Sequence, residues 1–226
     1  MGFIRNIIKE LDQSSELERE ATAHLEALED LASAKADLFE ATLKTNLVNA
    51  GTGSDKTIPI SQIEDFTKDT RAYVASNADN ITTAVNEAIN GFVQGGKEQV
   101  VGGIEKLLTV AITALFGADE GTESTTAKYY VANEGISLVR IDLMGWKRSA
   151  KAVSLTTKIE QVSAFVLCKS TIDIERTSFD TFLDVYQGVI MAGNPNASPQ
   201  TIIKEARELF EAFTKKTKED AALAHA

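Results

Sequence analysis

At Gly117 the period of the hydrophobic pattern changes. Upstream, apolar residues recur at intervals of three and four, as in Val100, Ile104, Leu107, Leu108, Ala111, Ile112 and Leu115. Downstream they alternate, as in Val139, Ile141 and Leu143, or Val153, Leu155, Thr157 and Ile159. The first period is that of one helix face, the second that of one strand face. A chain carrying both needs helices packed on a sheet, so the expected class is α+β: a helix-rich N-terminal half, a three- or four-stranded antiparallel sheet in the middle and a C-terminal helix. One compact domain is expected over residues 1–226, with a helical part over about 1–117, a sheet over about 126–170 and a C-terminal helical part over about 172–226.

Several helices follow from the first pattern. Phe3, Ile4, Ile7, Ile8 and Leu11 share one face of a short amphipathic segment, which reads as a docking cap or an interfacial anchor. A long helix is expected from Ser14 or Ser15 to about Val48, with Ser15 and Glu18 as a capping box. Its stripe is Ala21, Leu25, Leu28, Ala32, Ala36, Phe39 and Leu43, rich enough in alanine to argue against a strong leucine zipper. Such a length suggests a coiled-coil arm or a bundle member. After the loop of residues 49–59, Ser61 with Glu64 and a staple at Ile60 predicts a helix continuing through Ile63, Phe66, Thr70 and Tyr73, with helix over most of residues 61–92. The segment Val100–Phe116 is nearly free of charge beyond Lys106, so it is expected to lie deep, covered on both sides.

The second pattern predicts a hairpin after a loop at residues 117–125. Tyr129, Tyr130 and Val131 form one arm, Asn133, Glu134 and Gly135 the turn, and Ile136 to Met144 the other arm. Arg140 and Asp142 fall on one face of that second arm. Further strands are expected at Val153–Ile159 and at Val162–Lys169, and one face of the sheet is expected to pack on the helices. Residues 172–191 are ambiguous but carry Phe179, Phe182, Leu183, Tyr186 and Val189 at helical spacing. Ser198 before Pro199 is a strong helix start, predicting a helix to about residue 214 and a frayed end beyond it.

Few residues stand in a pattern that chemistry needs. Residues 91–98 approach a phosphate-binding loop, but Glu98 stands where a hydroxyl would hold magnesium. His24 and His225 are the only histidines, and neither has the partner spacing of a metal site or a relay. Cys168 is the only cysteine, so no intrachain disulfide or thiolate cluster can form, and it reads as a buried inert thiol. The carboxylate pairs Asp180 with Asp184, and Asp173 with Glu175, are what a chain with 33 acidic residues gives by chance. No catalytic, cofactor-binding or metal-binding residue is therefore assigned, no cofactor is expected, and the chain is read as no enzyme.

The net charge of −10 argues against broad nucleic-acid binding, which needs a positive field. Positive charge is local: residues 128–176 hold 8 Lys and Arg against 5 Asp and Glu. Arg140, Lys147, Arg148 and Lys151 gather around Trp146, a composition suited to an anionic membrane surface or an acidic protein partner. Together with Phe3 and Ile7 these are the candidate contact residues. The expected function is contact without catalysis, by self-association as a homo-oligomer or through a partner. The alternative is a membrane-active, lipid-binding or pore-forming protein that hides an apolar helix. A cytoplasmic location is expected, or else release as a soluble protein that later associates with membranes.

Overall fold

A computed structural model describes residues 16–52, 57–73, 98–116, 123–134, 137–149 and 161–224. In chain order it contains α1 (Glu16–Asn49), β1 (Ile60–Tyr73), α2 (Glu98–Phe116), β2 (Glu123–Glu134), β3 (Ser137–Ser149) and β4 (Gln161–Ile172). A short 3-10 turn (Ile174–Arg176), α3 (Phe179–Gly193) and α4 (Pro199–Ala224) follow. The strands form one antiparallel sheet in the order β1-β4-β3-β2. The α+β class read from the sequence holds, with helices before and after a central sheet.

Both faces of the sheet are covered, not one. Register assigns the faces: Trp146 lies opposite Ala164, and Met144 opposite Val166. These residues, with Val162 and Cys168, join Leu28, Ala32, Ala36, Phe39, Leu43 and Leu47 of α1 in one core. The intervening residues Val139, Ile141, Leu143, Phe165 and Leu167 point the other way. They join Ile104, Leu108 and Ile112 of α2 and Phe182, Tyr186 and Val189 of α3 in a second core. β3 and β4 lie between the two layers and are apolar on both faces for that reason. Each fully buried Leu, Ile or Phe contributes about 1.5–3 kcal/mol relative to exposure.

The helix expected from Ser61 is instead the edge strand β1. Ile60, Ile63 and Phe66 pair with Ile172, Ser170 and Cys168, all on one face of β4. Two register shifts, between Ile60 and Gln62 and between Ile63 and Asp65, each add a residue to the repeat. The spacing of three that imitates a helix is thus a strand period of two stretched by bulges. Ser61 is no helix cap: its hydroxyl donates to the Thr171 carbonyl. Residues 74–92 of that predicted helix lie outside the described residues, as do the Phe3–Leu11 helix and the Val153–Ile159 strand.

The expected hairpin is present as β2 and β3, but both strands run further than read. β2 starts at Glu123, inside the predicted loop, and β3 continues to Ser149. At the C-terminal end, Ser198 accepts a bond from the Thr201 amide at 3.1 Å and caps α4 as the sequence implies. The helix then runs on to Ala224 where a frayed end was expected. Alanine, glutamate and lysine are good helix formers, and Lys215 stands 3.7 Å from Glu219, one turn on. Ser178 caps α3 in the same way, accepting from the Thr181 amide at 3.1 Å.

α2 is buried on one side only. Ile104, Leu108, Ile112 and Leu115 are buried, whereas Lys106, Val110, Thr113 and Ala114 are exposed. The expectation of cover on both sides therefore fails. Beyond Lys106 the outer face carries Val110, Thr113 and Ala114 and no charge, which is why it resembles a core surface. Gly103 lets α2 lie close to α3: a Cβ at that position would sit 2.6 Å from the Val189 carbonyl oxygen.

Candidate interaction surface

The ionisable side chains gathered around β3 are bound within the fold. Arg140 and Asp142 stand two apart on one face of β3, as their spacing implies. Arg140 Nε donates to Asp142 Oδ2 at 2.9 Å and an Nη to Oδ1 at 2.7 Å, while the other Nη donates to the Ile58 carbonyl at 2.7 Å. The guanidinium also lies 4.1 Å from the centre of the Tyr129 ring. Both charged side chains are almost fully buried. Burial pushes the Asp142 carboxyl up from its ordinary value, and the Arg140 bonds pull it back down. Burial likewise pushes the Cys168 thiol up to about 11. A thiol so held is a poor nucleophile. Asp173, one of the carboxylates weighed for chemistry, caps the 3-10 turn by accepting from the Arg176 amide.

Three residues of the Trp146 patch are inside the protein. Trp146 and Lys147 are 0% exposed and Arg140 only 3%. All three lie within β3, which has a strand on each side and a helical layer on each face. They do not form an exposed cluster: Trp146 and Lys147 are paired on both sides, with Thr125 and Ser124 of β2 and with Ala164 and Ser163 of β4, near the end of the hairpin. Arg148 is exposed. Phe3, Ile7 and Lys151 lie outside the described residues.

Trp146 instead anchors α1. Its indole N–H donates to Glu123 at 2.5 Å, and Lys35 of α1 reaches the same carboxylate at 2.9 Å. Lys35 also lies 5.2 Å from the centre of the indole ring. The Lys35 ammonium and the indole N–H hold the Glu123 carboxyl below its ordinary value. On the other flank of α1, Lys68 of β1 binds Asp37 at 2.9 Å and Glu40 at 2.7 Å. Lys44 bonds Glu40 as well and lies 5.2 Å from the centre of the Phe66 ring. Exposed ion pairs of this kind contribute little stability each. Placed on both flanks, they fix the rotation of α1 about its own axis.

That rotation turns a second stripe outward, which the sequence reading missed. Ala27, Leu31, Ala34, Leu38, Ala41, Thr45 and Val48 follow each other at intervals of four and three without a break. At 100° per residue, they centre roughly 155° around the helix from the core stripe. Leu38 is 57% exposed and Val48 78%. Ala27, Ala34, Ala41 and Thr45 are exposed, whereas Leu31 is half-buried and packs against the inner core. The Thr45 hydroxyl bonds back to the Ala41 carbonyl at 3.0 Å, which leaves its methyl group outward. The signal that could have found this surface was the heptad spacing itself. It is hidden in the sequence because the inward stripe of the same helix carries most of the large side chains.

Among the described residues, no cluster of three or more His, Cys, Asp or Glu is placed to hold a metal ion, and no helix is long and apolar enough to cross a membrane. No protein-family model matches the chain, and neither the curated proteins nor the solved structures hold a match to it.

Proposed function

We propose that this protein works by contact and not by catalysis, and that it associates with copies of itself. The observation that carries this reading is the outward face of α1. Ala27, Ala34, Leu38, Ala41, Thr45 and Val48, with Leu38 and Val48 largely exposed, lie along a face of a helix whose opposite face is already buried in the core. Single exposed apolar residues are ordinary on a protein surface, but a contiguous stripe marks a contact site. The interior supports the same reading, since Arg140, Asp142 and Tyr129 bind one another and a backbone carbonyl. Sedimentation equilibrium across a wide concentration range tests it. Mass should rise with concentration; a species that stays monomeric at every concentration would refute self-association. Flotation with anionic and neutral liposomes separates this reading from a membrane one.

A further inference from the structure

We infer that β1 is a displaceable cover on the edge of β4: it swings away from a fixed point at Pro59 while β4, β3 and β2 stay paired. Among the described residues, β1 stands at one edge of the sheet with β4 as its one neighbour. Of its described side chains, Ile60 to Thr70, none is buried. Ser61 to Asp65 and Lys68 are exposed, and Ile60, Phe66, Thr67, Asp69 and Thr70 are half-buried. In β4 beside it, every residue from Val162 to Cys168 is buried. An element with few buried apolar contacts belongs to the part of a fold that opens most readily.

The residue types of β1 explain the weak hold. Glu64, Asp65, Lys68 and Asp69 are of kinds that strands disfavour. The register sets Lys68 against Val166 and Asp69 against Phe165, so charged side chains meet the most apolar stretch of β4. Ile60 and Phe66 pack against the α1 core, whereas Ile63 between them is 39% exposed. These three lie in the half of the strand where the register shifts twice, and each shift interrupts the ladder. Polar ties of β1 stand at the rim: Ser61 with the Thr171 carbonyl, Glu64 with the Thr171 hydroxyl, and Lys68 with Asp37 and Glu40. Exposed ties of this kind add little each.

The chain just before β1 is held firmly. Ile58 and Pro59 are buried. The Ile58 carbonyl accepts from Arg140 at 2.7 Å, and the Pro59 carbonyl accepts from the Asp173 amide at 3.0 Å. Burial ends within two residues, between Pro59 and Ser61, which places the hinge there. With β1 swung out, α1 still covers Val162, Ala164, Val166 and Cys168 on one face of β4, and α2 and α3 still cover Phe165 and Leu167 on the other. What opens is the row of main-chain N–H and C=O groups along β4. A free row of that kind is a template for pairing with another chain, so β1 controls whether β4 is available for it.

Native-state hydrogen exchange on the full chain tests this. Alternate residues of an antiparallel strand bond to its two neighbours, so the β4 amides fall into two sets. The set bonded to β1 should exchange together with the β1 amides. Its protection should be at least about a hundredfold below that of the set bonded to β3. Lys68→Ala, which removes the ties to Asp37 and Glu40, should lower protection of the β1-linked amides roughly fivefold and leave the β3-linked set unchanged. Equal protection of the two β4 sets in the wild-type chain would overturn the inference. An equal fall in both sets on Lys68→Ala would also overturn it, because β1 would then open only with the whole fold.

Discussion

Replacing Arg140 by Met should remove a large part of the stability of this fold. The guanidinium makes two bonds to Asp142 and one to the Ile58 carbonyl, and it stacks on Tyr129. Methionine fills much of the same volume, so the loss is electrostatic more than steric. It leaves a carboxylate buried without its cation, a change that typically costs about 3–5 kcal/mol. Folded domains have about 5–15 kcal/mol in all. The penalty should depend on pH in a definite sense. Without Arg140, burial alone acts on Asp142, so its folded pKa rises further above the unfolded value. A group whose folded pKa is raised stabilises the fold when protonated, and that stability is lost as pH rises through the folded pKa. Between the two pKa values the deficit of Arg140→Met relative to wild type should therefore shrink as pH falls, by up to about 1.4 kcal/mol per pH unit. The double variant Arg140→Met with Asp142→Leu removes both charges and should recover most of the loss. Urea unfolding of wild type and both variants at pH 5 and pH 8 measures these differences. A single variant within about 1 kcal/mol of wild type, or a double variant no better than the single, would refute the view that this pair is buried and mutually dependent.

Leu108→Asp puts an unpaired carboxylate where the side chain is fully buried, and denaturant unfolding should show a loss well beyond the roughly 0.5 kcal/mol usual for surface positions. The Cys168 thiol, pushed up to about 11 by burial, should react with an aromatic disulfide reagent at pH 8 only as fast as the protein unfolds; fast labelling of the folded chain would contradict its burial. Glu40, held down by Lys44 and Lys68, should titrate near 2 by NMR and move back toward 4.5 in Lys68→Ala. Because its folded pKa is depressed, its contribution is present above the unfolded value and fades as pH falls through about 2.

What was legible in the sequence depended on how regular each element is. α1 kept strict helical spacing over many turns, so its inward stripe from Leu28 to Leu43 was read residue by residue. Ser198 with Pro199 marked a helix start because a cap is a local event that needs no tertiary partner. β1 imitates a helix because two bulges put Ile60, Ile63 and Phe66 opposite every second residue of β4, and those bulges belong to the pairing with β4. Nothing in the sequence of β1 names β4 as that partner. The burial of Arg140, Trp146 and Lys147 is hidden in the sequence for a related reason. Lys147 and Arg148 do stand at the end of the β2–β3 hairpin, but β4 pairs with β3 there on the other side and Lys147 is buried. The pairing of Arg140 with Asp142 was visible as a shared strand face, whereas the Ile58 carbonyl that completes it lies 82 residues away in the chain.

The alanines of α1 make one physical point on both sides of the helix. Inward, Ala32 and Ala36 are buried in the same core as Trp146, and short side chains there leave room for an indole under the helix. Larger residues at those positions would lift the helix from the sheet and pull Lys35 away from Glu123. Outward, Ala27, Ala34 and Ala41 are exposed, and short side chains there lower the apolar surface that α1 shows to solvent. The helix is thus held by its inner face and aligned by the ion pairs on its flanks.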